Sequence, residues 1–218
     1  MGQAKQIIIK PINATSARDF VKKHHYSGTV VNNSTLHFGC FLNGVLGGVM
    51  QFGSSFDKRK IQSLVQDTGW NTFLELNRMA FSDLLPRNSE SRCIAIAIKL
   101  IKKHYPHIKW IISFADGSQC GDGTIYRASG FLLTSIKKNS SIIELANGKR
   151  VASMTFTKGK HILQQQGRAG IPEGSKKLDG FQLRYIYLID KTCKITVPIL
   201  PFSKIDEMGA KMYKGEKV

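Results

Sequence analysis

No run of about 18 consecutive apolar residues occurs in this 218-residue chain, so no stretch of it reads as a membrane-spanning helix. The start, MGQAKQIIIK, is too short and too soon strand-like for a secretory signal, and a cytoplasmic protein without a membrane partner is expected. Cysteine is scarce. Cys40, Cys93, Cys120 and Cys193 show no CxxC spacing, which points away from a zinc site and from a disulfide framework and towards reduced, mostly buried thiols. Acidic residues are scarcer still against the bases: 15 Asp and Glu face 32 Lys and Arg, a formal charge of +17. Such an excess is the electrostatic footprint of a polyanion partner, with nucleic acid the first candidate. It is denser toward the C-terminus, where part of a docking surface is expected.

What is present is most informative between Phe73 and Phe131. FLELNRMAF (73–81) reads as a buried strand with a single Arg. A helix follows from Glu90 to His104, with Ile94, Ile96, Ala97, Ile98, Leu100 and Ile101 buried on most sides and Lys99, Lys102, Lys103 and His104 toward its C-terminal end. IKWIISFAD (108–116) is then a strand covered on both faces and parallel to the first, since a strand, crossover helix and strand normally form one right-handed unit. Ligands of such sheets collect at the carboxyl ends of the strands, where Asp116 lies.

Around this unit, KQIIIK (5–10) predicts a strand, and Thr15 or Ser16 caps a helix that ends at His24 and His25. LHFGCFL, Asn43-Gly44 and VLGGVMQF predict a hairpin, weakened on its second strand by Gly47 and Gly48. Residues 53–72 are a polar excursion with a helix within Asp57 to Gln66 and no assignable chemistry. FLLTSI, SIIEL and VASMTF predict an antiparallel meander with a turn at Asn147-Gly148. Residues 158–177 are a surface excursion, 181–190 a final strand, and 191–218 a basic tail or extension to a domain spanning 1–190.

This order resembles the GNAT acyltransferase fold, an α/β (α+β) architecture with a central mixed twisted sheet and flanking helices. Those enzymes hold coenzyme A pyrophosphate on a glycine-rich turn before the central helix. Here the loop is Pro86-Arg87-Asn88-Ser89-Glu90-Ser91-Arg92, without glycine, so acetyl-CoA is the less favoured donor. A more specific resemblance is to the bacteriophage Mom family of DNA modification proteins. It is carried by His25-Tyr26-Ser27, Glu75-Leu76-Asn77-Arg78-Met79, Ser113-Phe114-Ala115-Asp116, Gly123 to Phe131 and Arg184-Tyr185-Ile186-Tyr187. The resemblance implies conversion of adenine in double-stranded DNA to N6-carbamoylmethyladenine, which masks phage DNA from host restriction enzymes.

The candidate site residues are His25, Tyr26, Arg78, Asp116 and Tyr126 for catalysis, and Arg87, Ser89, Ser91 and Arg92 for the donor. A guanidinium amid apolar neighbours needs a partner or a task, with Glu75 a possible structural partner for Arg78. Asp116 serves as a base or orienting carboxylate, or simply caps the Asp-Gly turn. His25 is a helix-end dipole partner or a proton acceptor, and Tyr26 a hydrogen-bond donor or a platform for a base. Tyr126 is a general acid to the departing group or an aromatic packed on the sheet. Tyr185 and Tyr187 share one face of a strand, where packing is the expected role. His25, Tyr26 and Asp116 lack close ligand spacing, and the metal question stays open.

Adenine N6 is a poor nucleophile, so the base must be extruded, deprotonated and met by a group that stabilises an oxyanion. The added atoms are those of a glycine unit, which makes an activated glycyl donor such as glycyl-tRNA the expected co-substrate and tRNA a possible partner. Two other classes remain open at this point, a conventional acetyl-CoA-dependent N-acetyltransferase and a noncatalytic DNA-binding protein.

Overall fold

The structure is a computed structural model that describes residues 3–118, 121–153, 171–213 and 216–217. Strands β1 (Ile8–Pro11), β2 (Ser34–Leu42), β3 (Val45–Gly53), β4 (Phe73–Phe81), β5 (Trp110–Asp116), β6 (Leu132–Glu144), β7 (Arg150–Ala152) and β8 (Lys176–Leu188) form one sheet of order β1-β2-β3-β4-β5-β8-β6-β7. Helices α1 (Ala14–His24), α2 (Lys58–Gln62), α3 (Ser89–His104), α4 (Thr124–Ala128) and α5 (Ser203–Glu207) complete it, with a small separate pair, β9 (Met212–Tyr213) and β10 (Glu216–Lys217). The sheet is mixed, antiparallel from β1 to β4 and parallel between β4 and β5, as the GNAT-like order requires.

The chain divides into two compact units. The first comprises the described residues of 1–114, 123–135 and 184–201, and the second those of 115–122, 136–183 and 202–218.

In the first unit, the Asn43-Gly44 turn has φ of 50° and 80°, the doubly positive geometry that a two-residue hairpin needs. Gly47 and Gly48 admit neighbours: a Cβ on Gly47 would stand 2.8 Å from Leu85, and one on Gly48 2.8 Å from Phe81. Their lack of side chains is a packing requirement of β3. Helix α1 packs Ala17 and Val21 on Val49 of β3 and Ala80 of β4. A second core gathers Leu64, Val65, Phe73, Trp110, Ile112 and Ile186, with Trp110 stacked on Phe73 at 4.5 Å. Tyr185 is fully buried and Tyr187 half-buried, and they pack on Tyr126 and Phe131 respectively. The Cys40 thiol contacts Cys93, and that contact together with burial raises its pKa. Cys193 is half-buried and also a free thiol, while Cys120 lies outside the described residues.

Several boundaries differ from expectation for local reasons. Residues Gln3–Gln6 form a 3-10 turn, and the strand starts only at Ile8, where pairing with Phe41 begins. Asn13 caps α1, its Oδ1 accepting from Ser16 N at 2.8 Å, so neither Thr15 nor Ser16 is the cap. The helix in 57–66 is a single turn, Lys58–Gln62. FLLTSI and SIIEL are one continuous strand, β6, in the middle of which Lys137 and Lys138 face solvent. The turn at Asn147-Gly148 is present, with Gly148 at φ 77°. The last strand begins at Lys176, earlier than expected, and most of the 158–177 excursion lies outside the described residues. No helix among the described residues is long and apolar enough to cross a membrane.

Candidate active site around a bulge in the central strand

Strand β4 does not keep a simple period of two. Val49 pairs with Ala80 and Gln51 with Arg78, but Phe52 then pairs with Leu76 and Gly53 with Glu75, so Asn77 is an extra, bulged residue. Cross-strand partners share a face, and residues 51 and 53 of β3 point to the same side. Glu75 and Arg78, which a regular strand would send to opposite faces, therefore lie on one face. The bulge creates an acid and base pair that FLELNRMAF does not display.

That face carries two rows. Gly39, Val49 and Ala80 form an apolar row, and the last two carry α1. His37, Gln51 and Arg78 form the neighbouring row, which is polar and inward. Gln51 is fully buried; its Nε2 lies 3.2 Å from His37 Nδ1, and its Oε1 has no hydrogen-bond partner. Burial lowers the pKa of His37, and Arg18 on α1 lowers it further. The chain leaving α1 brings His25 to this row.

His25 is the C-cap of α1 and is half-buried. Its Nδ1 lies 2.8 Å from Ser27 Oγ and accepts from Ser27 N at 3.2 Å, while its ring packs on Tyr26, centroids 4.1 Å apart and planes tilted by 34°. Burial, and then the charge of Arg78, push the His25 pKa down from 6.5 to about 4. The imidazole is neutral at physiological pH. Tyr26 is largely exposed. Arg78 Nη1 donates to Asn77 O at 2.8 Å and Nε to Thr29 O at 3.4 Å, so the guanidinium holds the 25–33 loop against β4.

Glu75 is the group that sequence reasoning left out of the site. Burial raises its pKa, and Ser55, Asn77 and Arg78 pull the other way in that order. Ser55 Oγ acts through proximity, because it makes no hydrogen bond of ordinary geometry. A half-buried carboxyl with a raised pKa beside an arginine is suited to proton transfer. The signal in the sequence was only the spacing of Glu75 and Arg78, which misleads unless the bulge is known. The two loops at this end of the hairpin are stitched together: Ser54 N donates to Asn33 O at 3.2 Å, Asn33 Nδ2 donates to Ser54 O, and Asn77 Nδ2 reaches Ser54 O at 3.3 Å. The registered β4–β5 ladder ends at Glu75 and Ile112, which leaves the carboxyl-terminal part of β4 beyond it.

The structure therefore brings His25, Tyr26 and Arg78 together and adds Glu75. Tyr126 lies on α4 in an aromatic group, 5.5 Å from Phe131 and 5.3 Å from Tyr185. Asp116, in the second unit, accepts from Ser118 N at 3.1 Å, Ser118 Oγ at 2.5 Å and Asn139 Nδ2 at 3.1 Å. In the loop before α3, Asn88 is the N-cap in a left-handed conformation, φ 65°. Ser89 is buried with its hydroxyl turned onto Pro86 O, Arg87 is exposed, Ser91 is half-buried, and Arg92 Nη2 donates to Lys5 O at 3.3 Å. Among the described residues no cluster of three or more His, Cys, Asp or Glu gathers as metal ligands would.

The low His25 pKa has a measurable consequence. The unfolded chain takes a proton on this histidine near pH 6.5, whereas the folded protein resists until about 4, so His25 favours folding fully above 6.5 and that contribution is lost as pH falls between those values. Replacing His25 with Gln should flatten the fall in melting temperature between pH 6.5 and 4 relative to the parent chain. Parallel curves would place the imidazole in solvent.

A mixed sheet of GNAT-like order with flanking helices makes this an α/β fold. The chain belongs to the Mom protein family, whose model matches residues 6–204. It is 41% identical over 129 residues to the "Methylcarbamoylase mom" of Escherichia phage Mu, covering 59% of this chain and 53% of that protein, so it spans about half the length of this curated relative. Solved structures with similarity include a Bacillus subtilis acetyltransferase in complex with CoA (TM-score 0.47, 12% identity, 84% of this chain and 97% of that one). Another is the Escherichia coli ribosomal-protein-S18-alanine N-acetyltransferase (TM-score 0.47, 11% identity, 84% and 94%).

Proposed function

We propose that this chain is a DNA-modifying transferase that converts adenine in double-stranded DNA to N6-carbamoylmethyladenine and so protects that DNA from restriction. Family membership with a protein named as a methylcarbamoylase supports the product class. The observation that carries the chemistry is the grouping of a neutral imidazole, a guanidinium and a carboxyl of raised pKa around the β4 bulge. A nucleophile as weak as adenine N6 needs a proton acceptor and a stabilised oxyanion at the same place.

In this reading an activated glycyl ester, such as glycyl-tRNA, is the donor. Adenine N6 attacks the ester carbonyl, the ester oxygen departs, and N6 carries a glycyl group. The free glycine amine then attacks C6, and reopening releases the original N6 as the terminal amide, giving N–CH2–CO–NH2 on C6 with no oxidant or reductant. Glu75 takes the N6 proton and Arg78 meets the carbonyl oxygen. Tyr126 protonates the departing group, and Arg87, Ser91 and Arg92 face the donor's phosphates, with Ser89 shaping the loop. Tyr26, exposed beside His25, offers a face to the extruded base.

Isotopic glycine tests this route. With glycine labelled in carbon and nitrogen, both carbons and the nitrogen bonded to C6 should be labelled, while the terminal amide nitrogen comes from adenine and stays unlabelled. Absence of label from the modified nucleoside, or product formed with every glycyl donor excluded, would overturn the glycyl route.

A further inference from the structure

We propose that His25 acts as a hydrogen-bond donor through Nε2–H, forming with Arg78 a two-donor site for the carbonyl oxygen of the acyl donor, and that it is not the base. This rests on the transferase reading above for its substrate, but its structural premise stands alone. A backbone N–H can only donate, and Ser27 N donates to His25 Nδ1 at 3.2 Å. Ser27 Oγ, at 2.8 Å from the same nitrogen, has a proton to give it as well. Turning the ring over would put a carbon against both polar atoms, so the contacts fix the ring orientation as well as the proton. A neutral imidazole whose Nδ1 accepts carries its proton on Nε2.

An imidazole in that tautomer has no lone pair left to take a proton from adenine N6. It can polarise a carbonyl, as a neutral imidazole does where its surroundings keep it uncharged. The low pKa and the neighbouring guanidinium agree with this, since Arg78 opposes a second positive charge at His25. The step then balances as follows. The N6–C bond forms, the carbonyl π pair moves onto oxygen between Nε2–H and Arg78, and the N6 proton passes to Glu75. The C–O bond to the departing group breaks as the pair returns, and the departing oxygen takes the proton that Tyr126 gives up, which the Glu75 proton restores through solvent.

The test is long-range 1H–15N correlation on the full chain labelled in histidine, with His25 assigned by the signals that vanish in His25→Gln. At neutral pH the expected pattern is an unprotonated Nδ1 and a protonated Nε2. A protonated Nδ1, or a doubly protonated ring, would overturn the proposal whatever the enzyme's substrate proves to be. Activity provides the second arm, read as modified nucleoside in cellular DNA. His25→Gln retains an N–H donor but no base and should stay within about tenfold of the parent, whereas His25→Ala should lose about 10²- to 10³-fold. Equal loss in both variants, with both folded, would contradict the donor role. A correct tautomer in a protein that makes no modified adenine would leave the donor geometry standing and remove the substrate reading.

Discussion

Arg78→Ala should lower DNA modification by about 10² to 10³, the usual cost of deleting one oxyanion donor, while the protein remains folded. The guanidinium spans two backbone carbonyls, Asn77 O at 2.8 Å in a half-buried contact and Thr29 O at 3.4 Å in an exposed one. Their loss costs about 1–3 kcal/mol of stability. Arg78→Lys keeps the charge but not the planar fork and should recover only part of the rate. Thermal melting measured beside nucleoside yield separates the two roles. A collapse of the melting temperature in Arg78→Ala would make Arg78 a structural clamp between the 25–33 loop and β4.

The second large effect is on DNA binding. A chain of formal charge +17 that neutralises 6–10 phosphates should lose about 10³- to 10⁵-fold in affinity between roughly 50 and 200 mM salt. On the proposed reading, the excursion from β3 to β4 is where exposed aromatics and basic residues would meet the duplex. Phe56 and Trp70 are 75% and 50% exposed there, beside Lys58, Arg59 and Lys60, and Lys58 Nζ sits 4.7 Å from the Trp70 ring. Because Trp110 is fully buried on Phe73, a salt titration followed by tryptophan fluorescence reports chiefly on Trp70. An affinity that stays flat over that range would remove the polyanion partner.

Much of this molecule is legible in its sequence where one physical signal acts alone. FLELNRMAF coincides with β4, Asn43-Gly44 turns the hairpin, and WIISFAD ends at Asp116. These segments are set by apolar runs and by backbone conformations that few residues tolerate. The candidate site is half legible. The sequence offers His25, Tyr26 and Arg78, which the fold brings together, but not Glu75, because its face depends on a bulge at Asn77 that only the pairing with β3 reveals. The proton position on His25 was equally hidden, since it is decided by the backbone N–H of Ser27. The excursion after Gly53 offers no assignable chemistry in the sequence because its two exposed aromatics stand 14 positions apart in a polar stretch. The sequence of β6 resembles two strands because solvent-facing lysines interrupt its apolar pattern where the strand itself continues.

The most direct measurement is mass spectrometry of nucleosides from the DNA of bacteria expressing this protein, with Arg78→Ala as the control. An adenosine derivative heavier by one carbamoylmethyl group, present with the parent chain and absent with the variant, is the predicted result. Unmodified DNA in cells that contain the folded, soluble parent protein would contradict the assignment.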